Sequence, residues 1–501
     1  MFNQDARLQG RIERGFRALV IVPLAALAAA DLFIIFSRLF YPYQLEWMEG
    51  AGLVQVSRLL AGGALYVPPS TDFVPLIYPP LYFYLSAGLA KITGLGFGAL
   101  RLVSFLSSAA CGAIIFLAVQ EQTDNKFAAL VGAGSFAAAF LLTGQWFDIA
   151  RTDMFAAALS MLGIYLARER KDDHPAAALL GGIVFALAFL TKQSALIIGL
   201  AAIFYFFIFN WRRGLQLALS FGLAVTLIYG IFWLDSAGWI SYYLFALPAA
   251  HAFDFSIGRV LSVLIGQFAP IPVLLLAGIA PLIISPRKIS GRRLYRYWIV
   301  MAGALIATGI VGRLNAFSGP NVYVPSYLGV ALLVGLAAGW VIELKIRPAL
   351  MILAWVLLSA QFCLLIPAYL QTKTIPSPQD RAAGNALVAK IKSYGGDVLL
   401  LDNNYLALYA GKVPYFNEMP MSEISGQGNL HPMPEWTALQ PQIDRLIHAP
   451  TTAAVLVDFS LPIQRMISGC REQPIAYADK IVFEPVAGPP NSRPSLIITC
   501  K

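Results

Sequence analysis

Long apolar segments alternate with short polar segments over the first three quarters of the chain. Eleven of them approach or exceed the length of about 18 residues that crosses the hydrocarbon core of a bilayer. Two or three are short enough to be broken or re-entrant helices. The pattern predicts eleven transmembrane helices, at residues 18–40, 101–120, 127–143, 154–168, 176–190, 195–210, 215–234, 267–285, 297–313, 324–341 and 348–370.

The pattern changes after the last apolar segment. Pro376, Pro378 and frequent charged residues replace the apolar runs. Mixed periodicity here predicts an amphipathic helix followed by short buried strands, at residues 379–394, 397–401, 453–457 and 495–499. We therefore expect an α-helical polytopic transmembrane domain, residues 1–371, and a small C-terminal α/β domain, residues 372–501.

Composition excludes a soluble globular protein. The 501 residues are 58% hydrophobic and 13% charged, and the mean hydropathy is +0.68. Ordinary globular domains carry about twice that share of charge. The net charge of +9 does not indicate nucleic-acid binding, because Lys and Arg concentrate in short loops between apolar segments. Such loops set membrane topology.

The positive charges also predict the orientation of the chain in the membrane. They concentrate in alternate loops, and this bias favours the cytoplasmic side for those loops and for the N-terminus. An odd number of spans then exports the C-terminal domain. The loops expected inside are residues 1–17, 121–126, 168–175, 210–214, 286–296 and 342–347.

The four cysteines fall into two groups. Cys111 and Cys363 lie in apolar segments, as small core residues do. Cys470 and Cys500 lie in the polar tail, where export permits a disulfide. The sequence leaves paired and free thiols both open.

The first outer loop, residues 41–100, carries the most specific pattern. Helical apolar spacing over Glu49–Leu60 ends at two glycines, a common helix stop. Pro79 and Pro80 then open a short aromatic helix, Leu81–Ile92. At 1.5 Å per residue this helix is about 18 Å long, too short to span the bilayer. We expect it to lie in the membrane interface.

Two acids, Glu46 and Glu49, stand between the first span and this loop. One interpretation is structural, because acids favour helix N-termini. The other is catalytic: partial burial raises a carboxyl pKa and makes it a better general base for an acceptor hydroxyl.

Three motifs in this loop resemble the GT-C glycosyltransferases: Glu49-Gly50, Gly62-Gly63-Ala64-Leu65-Tyr66 and Tyr78-Pro79-Pro80-Leu81-Tyr82. The lipopolysaccharide galacturonosyltransferase-like branch is the most similar, with aminoarabinose transferases and protein O-mannosyltransferases more distant. Many relatives have an Asp-Glu pair where this chain has Glu46-Trp47-Met48-Glu49. The resemblance favours Glu49 as the base, because it precedes Gly50, with Glu46 and Asp153 as further catalytic candidates.

The resemblance extends to other polar residues expected at the outer face. It implies phosphate binding by Arg151 or Lys192, and phosphate or acceptor contact by His251. Ordinary structural roles stay open for each, such as a local ion pair or a lysine that reaches the interface. The candidate substrate-binding residues are Arg151, Lys192, His251, Arg313, Asn321, Tyr78, Tyr82 and Asp148.

The resemblance implies an inverting transfer of sugar from a polyprenyl-phosphate donor at the outer face of a bacterial inner membrane. The acceptor would be a hydroxyl of a glycan, glycolipid or protein, and the C-terminal domain would be periplasmic. No metal-ligand spacing is evident, and a divalent metal remains possible. Two alternatives are a transporter or flippase of lipid-linked sugars and a non-catalytic subunit of a polysaccharide-assembly complex. The sequence shows no nucleotide-binding motif.

Overall fold

The computed structural model describes residues 2–170, 175–284, 293–315, 318–343, 348–426, 431–457, 469–489 and 492–500. Much of the predicted inside loops 168–175, 286–296 and 342–347 falls outside the described residues.

Fourteen helices precede the C-terminal region in the described ranges: α1 (Phe2–Arg38), α2 (Glu49–Leu60), α3 (Leu81–Thr93), α4 (Phe97–Thr123), α5 (Lys126–Ala137), α6 (Thr152–Ala167), α7 (Pro175–Phe189), α8 (Leu196–Phe209), α9 (Trp211–Asp235), α10 (Ile257–Phe268), α11 (Pro272–Ile284), α12 (Arg293–Leu314), α13 (Val324–Glu343) and α14 (Pro348–Gln371). Short helical turns are left unnumbered. They lie at Gln193–Ala195, Trp239–Ser241, Tyr242–Ala246, Leu247–Ala249 and Pro320–Tyr323.

Within the described residues, six helices are long and apolar enough to cross a membrane, or seven if one bent pair forms a single span. Four shorter apolar helices, α5 to α8, cover four more predicted segments. The protein is therefore a multi-pass membrane protein. The predicted span 267–285 is wrong as a single helix: α10 and α11 meet there at 95°. Pro270 and Pro272 explain the break, because proline removes a backbone donor and clashes with the preceding turn.

Helix α13 forms the centre of the bundle, because 83% of its most apolar stretch is buried. Helix α9 lies at the periphery, where only 6% of the corresponding stretch is buried. Gly335 of α13 faces Gly132 of α5. A Cβ added at Gly335 would stand 3.0 Å from the Gly132 Cα atom. Small residues of this kind let membrane helices pack closely.

The C-terminal region contains helices α15 (Pro378–Ser393), α16 (Tyr405–Tyr409), α17 (Glu418–Ile424) and α18 (Trp436–Ile447), and strands β1 (Asp397–Leu400), β2 (Thr452–Val457), β3 (Arg471–Pro474) and β4 (Leu496–Thr499). The sheet order is β1-β2-β4-β3. β1 and β2 are parallel, and the other two pairs are antiparallel. The expected helical membrane part with a small α/β region is confirmed. β3, missed by the pattern, is an exposed edge strand.

A disulfide joins Cys470 to Cys500 in this region. It links the start of β3 to the end of β4 and resolves the pairing that the sequence left open.

The C-terminal region packs on the chain that leads from α1 into the first outer loop. Tyr43 donates to Asn385 at 2.6 Å, and Gln44 donates to Asn403 at 2.7 Å. The Ala487 amide donates to the Leu45 carbonyl at 2.9 Å. The domain therefore covers the backbone immediately before Glu46.

Candidate functional site

Glu46 lies at the junction of the first outer loop and the C-terminal region. Its Oε2 atom accepts from Arg151 at 3.0 Å and from the Met48 amide at 3.1 Å. Its Oε1 atom is buried and has no hydrogen-bond partner among the described residues. Gly488 covers this oxygen: a Cβ added there would stand 3.5 Å from it. Burial raises the pKa of Glu46 to about 7, against the lowering effect of Arg151.

Asp153 forms a second acid–base pair two residues after Arg151. Its Oδ1 atom accepts from Lys192 and from Asn321, the latter at 2.8 Å. Its buried Oδ2 atom has no hydrogen-bond partner in the described parts of the chain. Asp153, Lys192 and Asn321 line a cavity of about 120 Å³ with small and apolar residues of α6 and α12.

Helix ends and turns position the residues that contact Glu46 and Asp153. Arg151 precedes α6 in an extended conformation, with φ −136°. Lys192 precedes a short helical turn, with φ −153°, and Asn321 lies in the turn before α13. Gln193 donates to the Ile77 carbonyl at 2.6 Å and ties this corner to the first outer loop. The site thus forms where several membrane helices begin or end.

Tyr78 lies between the two acid–base pairs. Its hydroxyl accepts from Arg151 at 2.7 Å, and the guanidinium carbon stands 5.4 Å from the ring centroid. The charges of Arg151, Lys192 and Asp153 all act on the Tyr78 hydroxyl. Tyr78, predicted from the Tyr-Pro-Pro motif, therefore joins Arg151, Asp153, Lys192 and Asn321 in one cluster.

Glu49, the acid that the sequence favours as the base, contacts a different arginine, Arg101. Its Oε1 atom accepts from Arg101 at 3.0 Å and from the Ala150 amide at 2.6 Å. Its Oε2 atom accepts from Arg101 and from the Leu45 amide, both at 2.6 Å. The side chain is fully buried. Because both oxygens are already saturated with donors, the geometry argues against Glu49 as a proton acceptor.

Asp148 and Tyr82 also have structural partners. Arg38 binds Asp148 through two hydrogen bonds, at 2.8 and 2.5 Å, and both side chains are fully buried. The Tyr82 hydroxyl donates to the Leu100 carbonyl at 3.0 Å, and Tyr82 is fully buried. These contacts anchor α1 and α3, and they favour structural roles over the expected substrate contact.

Arg313 and His251 contact residues outside this cluster. Arg313, in the last turn of α12, donates to the carbonyl of Ser318 and, at 3.1 Å, to the Ser318 hydroxyl. His251 stands 3.3 Å from Asn315 and 3.6 Å from Glu423. Arg313 is therefore held locally, whereas His251 meets the C-terminal region.

Sequence reasoning missed Arg38, Arg101 and Glu423. Arg38 lies near the end of an apolar span, and Arg101 begins the next; a charge in such a position needs a buried partner. That signal was available. Glu423 carried no comparable signal, because it lies in a polar region. Burial raises the pKa of Glu423 to about 8, against the lowering effect of Arg151.

The partners of the two carboxylates in the cluster show how well a metal ion would fit there. Glu46 and Asp153 each face a cationic side chain, Arg151 or Lys192. A guanidinium and an ammonium therefore already neutralise one oxygen of each carboxylate. Among the described residues, His448 lies near Cys470 and Cys500. Those sulfurs form the disulfide and offer no thiolate.

One known family matches part of the chain. Residues 78–234 match the family described as dolichyl-phosphate-mannose-protein mannosyltransferase. No curated protein sequence matches the chain significantly.

Three solved structures share the fold. The chain is similar to ArnT from Cupriavidus metallidurans bound to undecaprenyl phosphate, with TM-score 0.62, 13% identity, and coverage of 95% of this chain and 97% of that one. It is also similar to the archaeal oligosaccharyltransferase AglB from Archaeoglobus fulgidus, in complex with an inhibitory peptide and a dolichol-phosphate. There the TM-score is 0.53 and the identity 12%, with coverage of 87% and 69%.

Arabinofuranosyltransferase AftD from Mycobacteria is similar at TM-score 0.50 and 14% identity, over 95% of this chain and 40% of that one. The family match covers about a third of the chain, and the three structures show a shared fold.

Proposed function

We propose that this protein transfers a sugar from a polyprenyl-phosphate carrier to a hydroxyl of a cell-envelope glycan, glycolipid or protein. The observation that carries the proposal is the pair of buried carboxylates, Glu46 and Asp153. Each binds a cation through one oxygen, while the other oxygen has no hydrogen-bond partner among the described residues. Buried polar atoms are nearly always satisfied, and exceptions are frequent at functional sites.

Lys192 and Arg151 are proposed to bind the phosphate of the carrier. Phosphate oxygens suit both a guanidinium fork and an ammonium. As the anomeric carbon–oxygen bond breaks, the electron pair stays on the phosphate, and these cations stabilise the developing charge. Preorganised charges of this kind commonly contribute more to catalysis than any other single effect. Asp153 holds Lys192 at the cavity, and Asn321 in turn donates to Asp153.

Glu46 is proposed as the general base. The acceptor oxygen attacks the anomeric carbon while its proton passes to Oε1 of Glu46, and direct displacement inverts the configuration at that carbon. A base works best when its pKa lies near the operating pH, and burial brings the pKa of Glu46 to about 7. Glu49 then has a supporting role: it fixes the chain around Glu46 through Arg101.

The setting of the reaction follows from topology. The excess of Lys and Arg in alternate loops favours a cytoplasmic N-terminus, so the cluster and the C-terminal domain would face the periplasm of a bacterium. A place in the lipopolysaccharide galacturonosyltransferase-like branch is part of the proposal and rests on the motifs of the first outer loop.

The purified protein, incubated with radiolabelled undecaprenyl-phosphate sugars and an envelope glycolipid extract, tests the proposal. We expect label to move from the carrier to the glycolipid fraction. Movement of intact carrier across a vesicle bilayer without transfer would instead indicate a flippase. If neither the label nor the carrier moves, the result favours a non-catalytic subunit.

A further inference from the structure

The C-terminal domain contributes a buried acid to the edge of this site. Glu423 lies in α17 and is 8% exposed. Its carboxylate is 3.6 Å from Nε2 of His251, in the loop after α9. The charge of Arg151 acts on Glu423, and the charge of Glu423 acts on the Tyr78 hydroxyl. The pair therefore belongs to the surroundings of the cluster, on the side covered by the C-terminal domain.

The protonation of His251 follows from its neighbour. The amide nitrogen of Asn315 lies 3.3 Å from His251 Nδ1. An amide nitrogen can only donate, so Nδ1 accepts and the ring proton lies on Nε2. Burial lowers the His251 pKa and favours this neutral form. The Nε2–H donor is buried, lies 3.6 Å from the Glu423 carboxylate, and has no hydrogen-bond partner among the described residues.

The separation between His251 Nε2 and the Glu423 carboxylate suits a bridging hydroxyl group. At 3.6 Å, His251 Nε2 and the Glu423 carboxylate are too far apart for a good hydrogen bond. An oxygen about 2.8 Å from each atom would lie within hydrogen-bond distance of both. A hydroxyl accepts from one partner and donates to the other. This is the pair of functions that the imidazole N–H and the carboxyl group offer.

We infer that His251 and Glu423 bind a hydroxyl of the acceptor sugar and thereby position the acceptor, so that the C-terminal domain completes the acceptor subsite. The inference rests on the proposed function. The same domain lies against Glu46, because Ala487 donates to Leu45 and Gly488 covers Glu46 Oε1. The domain that carries Glu423 therefore also lies against the proposed base.

A matched control exists in the same interface. Glu435 accepts from the Tyr242 hydroxyl at 2.9 Å. Like Glu423, it is a carboxylate that joins the C-terminal domain to the segment after α9. Glu435→Gln should therefore report on domain docking alone.

The test uses the full chain with a radiolabelled undecaprenyl-phosphate sugar as donor and octyl glucoside, octyl galactoside and octyl mannoside as acceptors. We expect Glu423→Gln and His251→Gln each to raise the acceptor KM about tenfold, the loss of one hydrogen bond. The donor KM should stay within twofold, and Glu435→Gln should match the wild type. An unchanged acceptor KM, or an equal rise in Glu435→Gln, would overturn the inference.

A second readout is independent of transfer. Equilibrium dialysis measures the binding of a radiolabelled octyl glycoside to the full chain. Binding should be about tenfold weaker in Glu423→Gln and His251→Gln than in the wild type, and unchanged in Glu435→Gln. Equal binding in all four proteins, or no binding to the wild type, contradicts the inference. Wild-type protein that binds the glycoside but shows no transfer would contradict the proposed function alone.

Discussion

The amide of Glu49 donates to the carbonyl of Glu46 at 3.0 Å, yet the two carboxylates turn to different arginines. Glu49 binds Arg101 through both oxygens, whereas Glu46 binds Arg151 through one. Acids three residues apart in one turn thus have different chemical capacities. One is saturated with donors, and the other keeps an oxygen available.

The saturated acid should matter chiefly for stability. We expect Glu49→Gln to lower the free energy of unfolding by about 3–5 kcal/mol, the usual loss when one partner of a buried ion pair is removed. Thermal unfolding in detergent measures this. Arg101→Gln is the matching variant, and the double variant should lose less than the sum, because the two side chains interact directly. Wild-type unfolding combined with abolished transfer would restore Glu49 as the base.

Asp148 should behave in the same way. Its bidentate pairing with Arg38 is fully buried, so Asp148→Asn should destabilise the protein by a few kcal/mol. Folded Asp148→Asn protein should retain the donor KM of the wild type. A large rise in the donor KM without a change in thermal unfolding would mean that Asp148 contacts substrate after all.

Lys192 should act on the donor. Lys192→Met removes a cation proposed to bind phosphate, and we expect kcat/KM for the donor to fall at least about 100-fold, as is typical for the loss of one stabilising donor. Lys192→Arg should recover part of this loss, because the charge is kept. The matched control is Lys91→Met, at the end of α3. A loss in Lys192→Met that is confined to the acceptor KM argues against phosphate binding.

The pH dependence should reflect Glu46. Burial raises its pKa to about 7, and a general base must be ionised, so kcat/KM should rise with pH and level off above about 7. Below that value it should fall about tenfold per pH unit. Burial also raises the pKa of Glu423, to about 8, so the same profile is measured in Glu423→Gln. If the limb near pH 7 disappears in that variant, it belongs to Glu423.

The disulfide should stabilise the C-terminal domain. Cys470 and Cys500 are separated by 30 residues, and closing a loop of this size is worth roughly 3–4 kcal/mol on chain-entropy grounds. Cys470→Ser with Cys500→Ser should therefore lower the unfolding temperature of the domain, and reductant should have the same effect on the wild type. Limited proteolysis measures the change. Equal resistance in all cases would contradict it.

The helices were largely predictable, because apolar runs report burial in lipid directly. Glu49–Leu60 was predicted with the bounds that the structure has, since two glycines follow it. The bend at Pro270 and Pro272 was missed, because the span was drawn from the apolar run alone and two prolines that break a helix were not weighed.

The site was predictable only in part. Motifs placed Arg151, Asp153 and Lys192 on one side of the membrane, but their contacts join residues far apart in the chain. Glu49 and Arg101 are 52 positions apart, and Arg38 and Asp148 are 110 apart. Periodicity carries no information at such separations. The assignment of Glu49 as the base followed from Gly50 alone. The donors that argue against it, Arg101 and two backbone amides, become visible only in the folded chain.

Single-turnover transfer by Glu46→Gln tests the central claim most directly. The purified variant is mixed with a radiolabelled undecaprenyl-phosphate sugar and an envelope glycolipid extract, beside wild type and Glu49→Gln protein at equal folded concentration. The account predicts that Glu46→Gln, which loses a buried ion pair with Arg151 and is therefore less stable, still folds and binds donor. It transfers sugar at least about 100-fold more slowly, since general-base catalysis contributes about 10²–10⁴-fold. Transfer at the wild-type rate by folded Glu46→Gln would contradict it.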